Sequence, residues 1–149
     1  MTTHPLFLIN DFFDEYAAAI ESFNAKSMAH CYTLPCSFIS QENSSVFSDA
    51  TQLEGFFSKG TAFYKKQGIV NTQPEVRNKI LWAENIAKVK LIWHYYNVLS
   101  QPVYSCDYEY ILIFNEEAGW KISAAVSLNE KQRMEEWLSY KQAALSKEF

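Results

Sequence analysis

The stretch DYEYILIFNEEAGWKI, from Asp107 to Ile122, holds two carboxylates, Asp107 and Glu109, that alternate with two tyrosines, Tyr108 and Tyr110. Alternation at period two puts the acids on one face of a strand and the phenols on the other. A carboxylate turned into a cavity is a candidate general base, whereas a phenol there donates to a ligand oxygen. His94 beside Asp107 has the composition of a proton relay but is read as an outer-face pair. Trp93, Tyr95 and Tyr108 can stack on a flat ligand or simply fill a core. His30 next to Cys31 lacks further ligands, Arg77 reads as a solvated strand residue, and no metal site is expected. With four Gly in the chain there is no phosphate-binding glycine loop, and no Ser-His-Asp or Cys-His set can be assembled, so no cofactor is expected either.

Whether acids or phenols face inward depends on the elements around them. Ile9, Phe13, Tyr16, Ile20 and Phe23 recur at three- and four-residue steps and predict an amphipathic helix. A short helix is expected over Lys26–His30, then a strand over Tyr32–Ser40 whose Pro35 confines it to an edge or a strand start. Asp49 with Gln52 three residues on predicts the cap of a helix carrying Leu53, Phe56, Phe57, Phe63 and Tyr64, with Gly68 as its stop. The period then changes to two. Strands are expected over Glu75–Trp82, Ile86–Val98, Val103–Phe114 and Trp120–Ser127, in an antiparallel meander. Asn129 caps a last helix with Met134, Trp137, Leu138 and Leu145 on one side.

The facing of the strands follows from register, because a one-residue slip exchanges the two faces. Closing a loop between Val98 and Val103 sets Trp93 opposite Tyr108, Leu91 opposite Tyr110, Val89 opposite Leu112 and Ala87 opposite Phe114. The other face then pairs His94 with Asp107, Ile92 with Glu109, Lys90 with Ile111 and Lys88 with Ile113. In the next hairpin Phe114 meets Trp120, Leu112 meets Ile122, Tyr110 meets Ala124 and Tyr108 meets Val126. The tyrosines therefore face the helices, and small Ala124 leaves space for a cavity before Tyr110. Ile92, Ile111 and Ile113, set among His94, Asp107 and Glu109, form an outer face suited to a homodimer.

The chain has 149 residues, enough for one core. It is 48% hydrophobic and 16% aromatic, with a formal charge of −4, which argues against a nucleic-acid surface. No stretch approaches the roughly 20 apolar residues of a membrane span, and MTTHPLFLINDFF lacks signal-peptide features. A cytoplasmic protein is expected. Three cysteines (Cys31, Cys36 and Cys106) are odd in number and read as small buried hydrophobes.

Helices, then a meander, then a helix is the α+β class. The helix around YAAAIESFNAKSMAHCY, the following strand, the helix in DATQLEGFFSKGTAFYKKQG and the NEEAGWKI hairpin resemble the nuclear transport factor 2-like superfamily, in its ketosteroid isomerase-like and SnoaL-like branch. The resemblance implies one domain over 1–149: a cone-shaped half-barrel, its curved antiparallel sheet wrapped around N-terminal helices, with 130–146 as an added C-terminal helix. It also implies a pocket between sheet and helices. In the isomerase branch a helix tyrosine, an aspartate base and a protonated aspartate do the chemistry, a system that is itself a known worked case of pKa tuning. By this resemblance the first donor falls on Tyr16, a second pocket tyrosine on Tyr32, the base on Ser40 and the other donor on Tyr110. Glu42 shares strand parity with Ser40 as a displaced base. A serine with no adjacent base cannot abstract a carbon-bound proton. The function expected is therefore binding of a small apolar molecule by Tyr16, Tyr32, Trp93, Tyr108, Tyr110 and Ala124. The alternatives are an isomerase, dehydratase or cyclase using tyrosine donors, and a dimerisation module with a closed pocket.

Overall fold

The computed structural model describes residues 5–146. A short 3-10 turn at Pro5–Phe7 leads into α1 (Leu8–Glu21), which buries Ile9, Phe13, Tyr16 and Ile20 as their spacing predicts. Asn24 caps α2 (Ala25–His30) by accepting from Ser27 N–H. Asp49 caps α3 (Ala50–Lys66) in the same way, its carboxylate accepting from Gln52 N–H at 3.0 Å. Just past α3, Gly68 stands at φ +77°, where a side chain would be strained, and turns the chain toward the sheet.

Six strands follow the order β2-β1-β6-β5-β4-β3. They are β1 (Tyr32–Ile39), β2 (Ser44–Phe47), β3 (Asn71–Ala83), β4 (Ile86–Tyr96), β5 (Pro102–Asn115) and β6 (Gly119–Ser127). β3 to β6 form the expected antiparallel meander. The sheet is curved and unclosed, and the buried core lies between it and the helices. β1 was expected either at an edge or with Pro35 at its start, and neither holds, since Pro35 is its fourth residue. The strand lies inside, parallel to β6 and flanked by the short exposed β2, which sequence periodicity does not reveal. Pro35 is tolerated there because pairing to β6 is interrupted between Tyr32 and Ser37.

The inward faces of β4 and β5 are as predicted, and two registers differ. Between β4 and β5 the pairing is shifted by two residues, so that Leu91 meets Tyr108, Val89 meets Tyr110 and Ala87 meets Leu112, while Trp93 meets Cys106. The loop causes this. Asn97 Oδ1 accepts from Leu99 N–H and Gln101 N–H, and Ser100 takes φ 60°, so the turn closes at Tyr96 and leaves Val98 79% exposed. A two-residue shift preserves parity, which is why the faces survive. His94 consequently lies opposite Ser105 and not Asp107.

In the β5–β6 hairpin Phe114–Trp120 and Leu112–Ile122 pair as expected. The register then slips at Ser123, a β-bulge. Ala125, 1% exposed, stands opposite Tyr110, while Ala124 turns to the outer face beside Ile111. The expectation that Ala124 lines the cavity is thereby corrected.

α4 (Glu130–Ser146) buries no residue fully, but Met134 and Trp137 pack against the core. Leu138 and Leu145, expected on its packed side, are 39% and 52% exposed. Asn129 accepts the first helical bond, from Arg133 N–H, through its carbonyl. Its side chain is used elsewhere, and Ser127 Oγ takes the Glu130 N–H instead. No helix among the described residues is long and apolar enough to cross a membrane.

A tyrosine-lined cavity as candidate functional site

A cavity of about 480 Å³ opens between the sheet, α1, α3 and the first turn of α4. That volume lies within the usual range for small-molecule sites. Its wall gathers Tyr16, Tyr32, Trp93, Tyr108 and Tyr110, five of the six ligand-binding residues expected from sequence; Ala124 is the exception. Phe38, Phe57, Ile20 and Met28 supply the apolar remainder.

Each tyrosine arrives by a separate route. Tyr16 is on the buried stripe of α1, and Tyr32 opens β1; their hydroxyls meet at 2.6 Å. Whichever donates, the other keeps its proton for a third partner. Trp93 Nε1–H donates to Tyr110 Oη at 2.7 Å. Tyr110 thus accepts from the protein and can still give its own proton to a ligand. Tyr108 stacks on Tyr110, with ring centroids 5.4 Å apart and planes at 11°.

Electrostatics keep these groups as neutral donors. Burial holds the hydroxyls of Tyr16, Tyr32 and Tyr110 well above the ordinary phenol range. For Tyr64, Tyr95 and Tyr108 burial is again the largest cause, followed by the negative charge of Glu130.

Glu130 is the site residue that the sequence reading missed. Its carboxylate accepts from Tyr64 Oη at 2.8 Å and Tyr104 Oη at 2.9 Å on Oε2, and from Tyr108 Oη on Oε1. Tyr64 Oη also lies 3.2 Å from Tyr95 Oη. Glu130 sits at the start of a helix read as an appendage, and first-turn acids are common there for the helix dipole alone. Only the fold brings it to tyrosines of α3 and β5.

The other candidates fare differently. Ser40 lines the mouth, but its hydroxyl donates to Asn43 O at 3.2 Å and accepts from Asn43 N–H. No base flanks it among the described residues. Glu42 stands exposed at the same rim. Asp107 and Glu109 lie outside the cavity, as expected. Glu109 is 3.4 Å from Lys88, and Asp107 Oδ2 accepts from Asn129 Nδ2. His94 bonds Ser105 Oγ at 2.7 Å and Glu75 Oε1 at 2.8 Å. Glu75 in turn is held below the usual carboxylate range, first by Arg77 and then by His94. A second groove, about 690 Å³, runs between α1, α2 and the β5–β6 hairpin. Its walls mix exposed Asp11, Glu15, Lys26 and His30 and lack converging phenols.

A curved sheet around N-terminal helices, with an aromatic cavity between them, defines the NTF2-like class of α+β proteins. The chain belongs to the family described as NTF2-like protein (DUF6841), whose model matches residues 7–130. Among solved structures, a domain of unknown function with a cystatin-like fold from Nostoc punctiforme is similar, with TM-score 0.71 and 13% identity over 99% of each chain. An NTF-2 like protein of unknown function from Shewanella oneidensis has TM-score 0.66 and 11% identity, over 84% of this chain and 99% of its own. A ketosteroid isomerase-like protein from Erwinia carotovora atroseptica has TM-score 0.62 and 11% identity, over 85% and 97%. Identities this low establish a shared fold alone. The chain has no match among the curated proteins.

Proposed function

We propose that this domain binds a small, largely apolar molecule in the tyrosine-lined cavity and orients it through Tyr110 and the Tyr16–Tyr32 pair. The observation that carries this reading is a cavity of about 480 Å³ whose aromatic wall turns neutral hydroxyls inward. An oxygen-bearing ligand gains area against the rings and hydrogen bonds from the phenols. The open volume favours this over a dimerisation module with a closed pocket. Catalysis by an isomerase, dehydratase or cyclase would need a base beside the donors. Ser40 is tied into its own turn. Glu130 already accepts three phenol protons, an arrangement for holding a donor group and not for attacking a carbon-bound proton. The free thiols of Cys31, Cys36 and Cys106 suit a reducing compartment, and we place the protein in the cytoplasm.

Gly60 of α3 lines the cavity, and a Cβ there meets nothing within 4 Å. Titration calorimetry with acetonaphthone, an aryl ketone, should show saturable one-site binding to the wild type. In Gly60→Leu, which fills the mouth while keeping the helix, that binding should be lost. An absence of saturable binding, or full binding in Gly60→Leu, would overturn the proposal.

A further inference from the structure

We infer that the ligand of this cavity carries a protonated amine, for which Glu130 is the counter-ion. The inference rests on the binding reading above and adds the charge of the ligand.

Glu130 is a positioned group. Its backbone N–H donates to Ser127 Oγ at 3.3 Å. The preceding Asn129 is pinned to β5 twice, with Oδ1 accepting from Asp107 N–H at 2.8 Å and Nδ2 donating to Asp107 Oδ2 at 2.7 Å. The carboxylate is thus fixed at the end of the cavity nearest Tyr64 and Tyr108. A carboxylate offers about four acceptor positions. Two on Oε2 take Tyr64 and Tyr104, and one on Oε1 takes Tyr108. The Cys106 thiol is a further hydrogen-bond neighbour of this carboxylate, which still lines the cavity.

The helix N-terminus and three phenols stabilise this charge, but no side-chain cation pairs with it. Among the described residues the ion pairs are Arg77–Glu75, Lys88–Glu109, His94–Glu75 and Arg133–Glu136, and none involves Glu130. Three phenols solvate a negative charge without cancelling it. Lys59 and Lys131 also line the cavity, but both are exposed at its rim. A carboxylate set in an aromatic wall is matched best by a cation with an N–H to give. The aromatic wall of Trp93, Tyr95, Tyr108 and Tyr110 supplies apolar surface for the body of the same ligand. A neutral ligand would leave the carboxylate without a cationic partner, and an anionic one would be repelled by it. The ligand class is therefore an apolar, preferably aromatic body bearing one ammonium group.

The test compares phenylbutylamine with phenylbutanol, probes of one shape that differ in charge, by calorimetry at neutral pH and low salt. The full chain is used as wild type and as Glu130→Gln. The amine should bind the wild type about tenfold or more tighter than the alcohol. In Glu130→Gln the two affinities should converge. Equal affinities in the wild type would overturn the inference while leaving the cavity reading intact, and so would an amine preference that survives Glu130→Gln. Failure of both probes to bind would overturn both readings. The wild-type comparison decides the matter even if Glu130→Gln does not fold.

Discussion

Tyr110 shows how one residue can serve both core and cavity. Its ring is 1% exposed and its oxygen accepts from the equally buried Trp93 indole. Tyr110→Phe keeps the shape but leaves the Trp93 N–H without an acceptor, which costs about 1–3 kcal/mol. Urea unfolding should show that loss, and the affinity for a ketone probe should fall by up to about tenfold. Unchanged stability would mean that the indole finds another acceptor. The inward facing of Tyr108 and Tyr110 was legible in the sequence, because apolar–polar alternation has only two phases and one of them set Lys and His against Tyr and Leu. The role of Glu130 was not legible. Nothing local distinguishes a first-turn helix acid that caps from one that three distant phenols enclose.

Three of the meander strands could be read to within two residues from period-two runs, and the α3 cap from the Asp49–Gln52 spacing, but β3 starts at Asn71, four residues before the expected Glu75. Details that depend on one irregular residue could not. The Ser123 bulge moves Ala124 to the outer face, and the Asn97 side chain closes its loop two residues early. Neither leaves a periodic trace. β2 is four residues long and mostly exposed, so it became visible only as a partner of β1. α4 is the element whose importance the sequence most understated. It exposes most of its length, yet it delivers Glu130 and packs Met134 and Trp137 on the core. Burial of these apolar side chains is worth a few kcal/mol, at ~25 cal/mol per Å². Truncation after Glu130 should therefore lower the melting temperature by several degrees or cause aggregation. Calorimetry that shows unchanged melting would reduce α4 to a loose tail.

At the scale of the whole molecule, buried phenols couple stability to pH. Tyr16, Tyr32, Tyr64, Tyr95, Tyr104, Tyr108 and Tyr110 all have raised pKa values in the folded state, with burial as the first cause. In the unfolded chain phenols ionise near pH 10. Above that point the unfolded state has lost protons that the folded state keeps, so stability is fully present below about pH 10 and falls as pH rises. The urea midpoint should be level up to about pH 10 and fall progressively above it, and a midpoint that stays flat there would contradict the burial of these groups. The outer sheet face has a different role. Ile92, Ile111 and Ile113 are half-buried among His94, Asp107, Glu109 and the Lys88–Glu109 pair. We propose a two-fold homodimer through this face. Light scattering should give a dimer for the wild type and a monomer for Ile111→Asp; a wild type that stays monomeric at micromolar concentration contradicts it. The central claim, that the aromatic cavity is the ligand site, is tested most directly by a crystal structure of the protein with acetonaphthone. The naphthyl rings should lie against Trp93 and Phe57, with the carbonyl oxygen within hydrogen-bond reach of Tyr110 Oη. A ligand seated in the groove between α1, α2 and the β5–β6 hairpin, with none in the cavity, would contradict it.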